Sequence, residues 1–266
     1  VTNNFIVTGF PRSGTSYFCS LMNQFENHVI INEPAGLNSL FTEHGVDLIQ
    51  RYLGQTRQAI DIKQPVMTKY TEDTKYMNLR FPWIPEQVTC SGYRLGFKKN
   101  LGILPLIYTI LEETDITLIA LIRNPFDNIS SWVNSFALLR KVPASILDIL
   151  GMDYSIQYAS TDSLAYLEQI REASDPAIRR CLLWSYIASI IDSNKNRIIV
   201  IRYEDLIRDP ATVFSEKLGL SEWDLFDGYK LERSSKPPSS CNLPVVDKRN
   251  IETICGKWAV KLGYDV

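Results

Sequence analysis

Eight consecutive residues near the amino end, Gly9-Phe10-Pro11-Arg12-Ser13-Gly14-Thr15-Ser16, combine two glycines with three hydroxyls and a guanidinium. The spacing is that of a phosphate-binding loop, G-x-x-x-x-G-K-S/T, except that Thr15 stands where a lysine would reach the outer phosphates of a nucleoside triphosphate. Gly9 and Gly14 let the chain curl so that successive N–H groups point inward. A helix starting near Thr15 adds its unpaired N–H groups and its positive dipole end. Arg12 supplies a cation from within the loop, and Ser13, Thr15 and Ser16 supply hydroxyl donors. These are the parts of an anion site, best suited to a phosphate. A tight strand-to-helix turn with no ligand is the competing assignment.

A second group lies in "LIRNPFDNISSWVNSF". Arg123 closes an apolar run, Pro125 suits the first turn of a helix, and Ser131 follows Arg123 by eight residues, about two helical turns. An arginine at a strand tip and a hydroxyl on the next helix form a grip for a second phosphate. The alternative is a surface pair of Arg123 with Asp127, of the kind that contributes little. A magnesium-dependent triphosphatase also needs a carboxylate near a strand tip. Here "ITLIALI" runs into Arg123 and "RIIVI" into Arg202, and Asp205 comes only after Tyr203 and Glu204. The expectation is a phosphate bound without a metal.

The elements that position these groups are legible as apolar blocks. Five segments read as buried strands: Phe5–Thr8, His28–Ile31, Gly92–Lys98, Ile116–Ile122 and Arg197–Tyr203. Helical stretches lie between them: "SYFCSLMNQF" after the loop, "PLIYTILEET" before the fourth strand and "RRCLLWSYIASIIDS" before the fifth. Unbroken apolar strands alternating with helices predict a parallel sheet covered on both faces. The expected fold is therefore α/β: a three-layer arrangement of the P-loop nucleoside-triphosphatase type, with a central, mostly parallel five-stranded sheet. The stretches 38–88 and 138–176 are read as helical insertions in one domain spanning 1–266.

In such a sheet ligands gather at the carboxyl ends of the strands. Glu33 follows the second strand at that edge, whereas His28 begins the same strand and falls at the opposite end. His44 reads as helical surface. Lys98 closes the third strand; a surface lysine lying along apolar neighbours is its alternative.

Composition narrows the function classes. The 266 residues are 45% hydrophobic and 22% charged with net charge −2, which argues against a general nucleic-acid or membrane binder and is compatible with a local basic pocket. Five scattered cysteines without a CxxC pair read as thiols of a reducing, cytoplasmic compartment. Two histidines are too few for a histidine-built metal site, and the apolar runs are strand-sized, so no membrane span is expected.

Taken together these residues resemble the sulfotransferases that use 3′-phosphoadenosine 5′-phosphosulfate (PAPS). That family's first signature is Pro-Lys/Arg-Ser/Thr-Gly-Ser/Thr-Ser/Thr after the first strand, here Pro11 to Ser16. Its second is Arg-x-Pro with a serine eight residues after the arginine, here Arg123, Pro125 and Ser131. A weaker match is "IRYEDLIRDP", Ile201 to Pro210, and the closing "IETICGKWAVKLGYDV" is similar to the last helix of carbohydrate-type members. The resemblance implies that Arg12, Ser13, Gly14, Thr15 and Ser16 hold the 5′-phosphosulfate, while Arg123 and Ser131 hold the 3′-phosphate. It brings Tyr203 to the adenine, although a core position suits that residue equally. Lys236, with Arg233 in "ERSSKPPSS", is the candidate for a basic loop on the 3′-phosphate, with a solvated loop as the alternative.

The family chemistry is in-line transfer of a sulfuryl group, with 3′,5′-bisphosphoadenosine (PAP) as product. Arg12 and Lys98 would offset developing charge. Many small-molecule members place a histidine base where this chain has Asn100. Several carbohydrate-type and bacterial members carry instead a Glu-Pro dipeptide like Glu33-Pro34, which implies Glu33 as the base. The implied partner is a small-molecule acceptor, a natural product or a sugar, contacted through the aromatics of the insertions (Tyr52, Tyr70, Tyr76, Trp83, Tyr154, Tyr158) where these are not core. A P-loop kinase using ATP and magnesium, and a nucleotide-binding regulatory module without turnover, are the competing classes.

Overall fold

The computed structural model describes residues 4–37, 40, 45–69, 80–135, 137–152, 161–226, 230–231 and 243–265. His44, Tyr70, Tyr76, Tyr154, Tyr158, Arg233 and Lys236 lie outside the described residues.

The central sheet contains β1 (Asn4–Gly9), β2 (His28–Asn32), β5 (Arg94–Lys98), β6 (Thr117–Ile122) and β7 (Ile199–Arg202) in the order β2-β5-β1-β6-β7. Every pairing in it is parallel. A shorter antiparallel pair, β3 (Val66–Lys69) with β4 (Arg80–Trp83), stands beside β2. The described helices are α1 (Thr15–Met22), α2 (Gly45–Asp61), α3 (Ile107–Glu113), α4 (Pro125–Val133), α5 (Ala137–Lys141), α6 (Ile146–Ile149), α7 (Thr161–Glu172), α8 (Pro176–Asn194), α9 (Tyr203–Arg208), α10 (Pro210–Leu218) and α11 (Val245–Lys261).

Strand alternation builds the three layers. On one face Ile6, Ile31, Phe97, Leu118, Ala120 and Ile122 share a core with Ile49 of α2, Ile107 of α3, Trp184 and Ile187 of α8, and Trp258 of α11. On the other, Phe5, Val7, Ile30, Ile119, Leu121 and Ile201 pack on Phe18 and Met22 of α1 and on Val213 and Phe214 of α10. Because both faces are covered, each strand is apolar throughout, which is why the blocks read as strands. Helix α8 is buried without a break from Arg180 to Ile191, the mark of a helix lodged inside a core. Asp175 caps it by accepting from the Ala177 N–H at 2.8 Å, a bond contributing about 1 kcal/mol.

Two readings change. Among the described residues of the stretch 38–88, the helix is Gly45–Asp61, while 66–69 and 80–83 form the β3–β4 pair. Its signal is a period-two alternation, Val66 and Thr68 buried against Met67 exposed, hidden by strands of only four residues and by Pro82, which argues against a strand in sequence. In 138–176 the described elements are all helical. The fifth strand ends at Arg202, so Tyr203 opens α9 rather than closing the strand.

The order places β1 between β5 and β6, so the chain crosses from one side of β1 to the other. The crevice beyond its carboxyl end is the switch point at which such sheets take ligands. All five strands deliver a site group there: Gly9, Glu33, Lys98, Arg123 and Tyr203 each end or directly follow one.

Candidate active site

The loop between β1 and α1 is held from several directions. Gly9 (φ 120°) passes so close to β6 that a Cβ would lie 2.1 Å from the Leu121 carbonyl oxygen, and the Phe10 N–H donates to that oxygen at 3.0 Å. Asn128 Nδ2 and Trp132 Nε1 of α4 both donate to the Pro11 carbonyl, at 2.9 and 2.7 Å. Arg123 Nη1 donates to the Arg12 carbonyl at 2.8 Å. The Phe10 ring stacks on Trp184 of α8, centroids 4.9 Å apart. Each hydrogen bond contributes about 0.5–1.5 kcal/mol. Their combined effect is a loop whose amides are oriented before any ligand arrives.

The free amides belong to the start of α1. Its N-cap is Gly14 in the left-handed region (φ 80°), and no side chain caps it. An uncapped N-terminus at a strand-loop-helix junction is a ready anion site. Thr15 and Ser16 open the helix; Thr15 is buried and its Oγ1 accepts from Asn100 Nδ2 at 3.4 Å. Ser13 departs from expectation. Its hydroxyl turns inward, donating to Phe10 O (2.7 Å) and Leu121 O (3.1 Å), and its N–H also reaches Phe10 O. Ser13 therefore shapes the loop through its side chain instead of offering that hydroxyl to a ligand.

Arg12 (φ 67°) is exposed at the rim, its Nε 3.5 Å from Ser131 Oγ. Although part of the residue is exposed, desolvation of the guanidinium by the surrounding loop, and then the positive charge of Arg123, push it below its ordinary pKa. The structure thus brings Arg12, Arg123 and Ser131 together. Arg123 is 6% exposed, which rules against the surface-pair assignment. It lies over the Tyr203 ring, 4.3 Å from the centroid, and that ring occupies the space where a Cβ on Gly14 would fall, at 2.6 Å. Tyr203 is thus a buttress beneath the loop. Glu204 beside it accepts from the Asn124 N–H at 2.9 Å and the Tyr264 hydroxyl at 2.9 Å, fastening the start of α4 to the chain after α11.

Across β1 stands the second half of the site. Lys98 is the register partner of Val7 and of Asn32, and its ammonium meets Glu33 Oε1 at 2.5 Å. Glu33 takes a left-handed conformation (φ 49°), its N–H donating to Lys98 O at 3.0 Å. Burial alone would raise the Glu33 carboxyl, yet the charge and hydrogen bond of Lys98, with Lys99 and Lys69 behind it, hold it below the ordinary carboxylate range. Glu33 is therefore an ionised carboxylate at neutral pH. His28 pairs with Arg94 at the amino end of the sheet, away from this edge.

Sequence reading missed several contributors. Asn100 is noticed there only as the place of an absent histidine, but it links Thr8, which donates to its carbonyl at 3.0 Å, with Thr15. Asn128 and Trp132 carry a weak signal, since they recur four residues apart on the helix opened by Pro125. Lys69 and Arg80 are supplied by the unrecognised β3–β4 pair. Among the described residues no group of three His, Cys, Asp or Glu side chains gathers as a metal site, and no helix is long and apolar enough to cross a membrane.

A family model described as the sulfotransferase domain matches residues 2–218, taking in the loop, the Glu33–Lys98 pair, Arg123 with Ser131, and the Tyr203 segment. The closing helix α11 lies beyond the matched residues. No individual curated protein matches the chain. A match over that span, on a parallel five-stranded sheet with a glycine-bounded strand-to-helix loop at its switch point, shows that the chain belongs to the sulfotransferase domain family and is a transferase of sulfuryl groups.

Proposed function

We propose that the enzyme takes its sulfuryl group from PAPS and passes it in line, without a metal ion, to a hydroxyl or amine of a small-molecule acceptor; a carbohydrate is the alternative acceptor. The observation that carries this reading is the pairing of an uncapped helix start with two adjacent arginines, Arg12 and Arg123, on one side of β1, and the Glu33–Lys98 pair on the other. Four free thiols among the described residues, Cys19, Cys90, Cys181 and Cys255, support a cytoplasmic setting.

The residues present fit the donor. The amides of Gly14, Thr15 and Ser16 with the Arg12 side chain would hold its 5′-phosphosulfate, with Ser13 setting the loop's shape. Arg123 and Ser131 would hold its 3′-phosphate, and Tyr203 would support both by backing Gly14 and Arg123. When bound, the donor supplies an activated sulfuryl group on a phosphate leaving group. Glu33 takes the proton from the acceptor oxygen or nitrogen. Lys98 keeps that carboxylate ionised and, with Arg12, offsets negative charge at the edge.

Calorimetry without added metal tests the donor assignment. PAP is expected to bind more tightly than AMP by about 10- to 150-fold, the effect of about 1.5–3 kcal/mol from hydrogen bonds to a charged group. Equal affinity for AMP, or tighter binding of ATP with magnesium, overturns the reading. Glu33→Gln is expected to retain PAP binding while losing about 10²- to 10⁴-fold in turnover of labelled PAPS. Undiminished turnover removes Glu33 as the base.

A further inference from the structure

The open end of the β3–β4 pair sets two cations face to face. Lys69, last in β3, is the register partner of Arg80, first in β4. Alternation sends both to the face that carries exposed Met67 and Pro82, opposite Val66, Thr68, Phe81 and Trp83. Like charges directly opposite one another destabilise a strand pair. The pair is nevertheless tied to the edge of the main sheet. The Asn32 N–H donates to Thr68 Oγ1 at 3.0 Å, Asn32 Nδ2 donates to Lys69 O at 3.3 Å, and Arg80 Nη2 donates to Glu33 O at 3.2 Å.

Glu33 is thus faced by Lys98, Lys99 and Lys69, and Arg80 adds to the charge felt at Lys69 and Lys99. The carboxylate is engaged by Lys98. Among the described residues, Lys69 and Arg80 form no ion pair. They lie on the β2 side of Glu33, whereas the anion loop, Arg12 and Arg123 lie on the β1–β6 side. The donor's phosphates are therefore served elsewhere, and a group that reaches Glu33 from the β2 side meets Lys69 and Arg80.

Resting on the donor assignment above, we infer that the acceptor is acidic: it carries a carboxylate, sulfate or phosphate ester that Lys69 and Arg80 receive while its hydroxyl or amine is presented to Glu33. Neutral acceptors leave the two cations with no counter-charge beyond Glu33, which Lys98 already engages, so they bind more weakly than acidic ones of the same shape.

The test begins with thermal unfolding in saturating PAP, which occupies the loop; a protein that PAP does not stabilise refutes the donor assignment and is told apart at this step. Matched probes are then added to the PAP-loaded enzyme at constant ionic strength: 4-hydroxybenzoate against 4-hydroxybenzamide, and glucuronate against glucose. At least one acidic probe is expected to raise the melting temperature above its neutral partner. The difference disappears in Lys69→Gln/Arg80→Gln, and the affinity for that probe falls about tenfold or more. No preference for the acid, or an equal preference in the double variant, overturns the inference. If the cations served the donor's sulfuryl group, the double variant would lose affinity for PAPS relative to PAP; an unchanged ratio is expected and a changed one also overturns it. The variant relieves a like-charge pair but gives up the Arg80 bond to Glu33 O, so its own unfolding temperature is the baseline against which each probe is read. Lys69→Gln alone repeats the test if the double variant folds poorly.

Discussion

Replacing Gly14 with alanine should damage the loop from beneath, and its cost can be worked out from two separate terms. The backbone term comes from φ 80° at the N-cap of α1, a left-handed conformation costing an L-residue about 1–2 kcal/mol. The packing term comes from Tyr203, whose ring atoms lie 2.6 and 2.8 Å from the new methyl. The ring must yield, and it carries the Arg123 guanidinium 4.3 Å from its centroid, a contact worth about 0.5–2 kcal/mol. Gly14→Ala should therefore lose about 1.5–4 kcal/mol in urea unfolding. It should also weaken PAP binding, since Arg123 is displaced with the ring. A double-mutant cycle separates the terms. In a Tyr203→Ala background the methyl meets no ring, so Gly14→Ala should cost only the backbone term of about 1–2 kcal/mol. An equal loss in both backgrounds would refute the buttress role of Tyr203.

Two further substitutions probe the two sides of β1. Arg123→Ala should weaken PAP by about 1.5–3 kcal/mol while leaving the smaller affinity for AMP nearly unchanged, measured by calorimetry; parallel losses for both nucleotides would show that Arg123 only supports the loop through the Arg12 carbonyl. Lys98→Met should move the acidic limb of the pH–rate profile upward. Glu33 must be ionised to act and Lys98 depresses its pKa, so activity is retained above the folded-state pKa and lost as pH falls through it. Removing the cation raises that point, and a limb that stays in place would dissociate Glu33 from the limiting ionisation.

Legibility followed the reach of each interaction along the chain. The five central strands could be read because burial on both faces makes each an unbroken apolar block, and the anion loop because its glycines, hydroxyls and arginine lie within eight residues. Arg123 was visible through its position at the end of β6. What the loop's hydroxyls do was not visible. Ser13 and Ser16 are the same residue type three positions apart, and Ser13 is turned inward by the Phe10 carbonyl of its own turn together with the Leu121 carbonyl, 108 residues along the chain. Tyr203 was open between adenine and core because its neighbours Gly14 and Arg123 are far away in sequence. The β3–β4 pair was missed for a local reason: two four-residue strands, one with a proline, give too short an alternation to stand out from an insertion. With it went Lys69 and Arg80, so the charge around Glu33 was underestimated.

On the proposed reading, in which Glu33 is the base, that charge bears on how a depressed carboxylate can serve. A protein of net charge −2 gathers Arg12 with Arg123 on one side of β1, and Lys69, Lys98, Lys99 and Arg80 on the other. Holding like charges together costs stability, which a bound anion returns by linkage. The cations around Glu33 keep it ionised and so weaken it as a proton acceptor. A weak base suffices when the group under attack is already activated, because bond formation to sulfur acidifies the acceptor hydroxyl and the proton can leave late. Under those conditions the greater demand would fall on placing the acceptor and, for the acidic acceptor inferred above, on neutralising its charge, work suited to the Lys69, Lys98 and Lys99 ammonium groups that face the carboxylate and to Arg80 beside them.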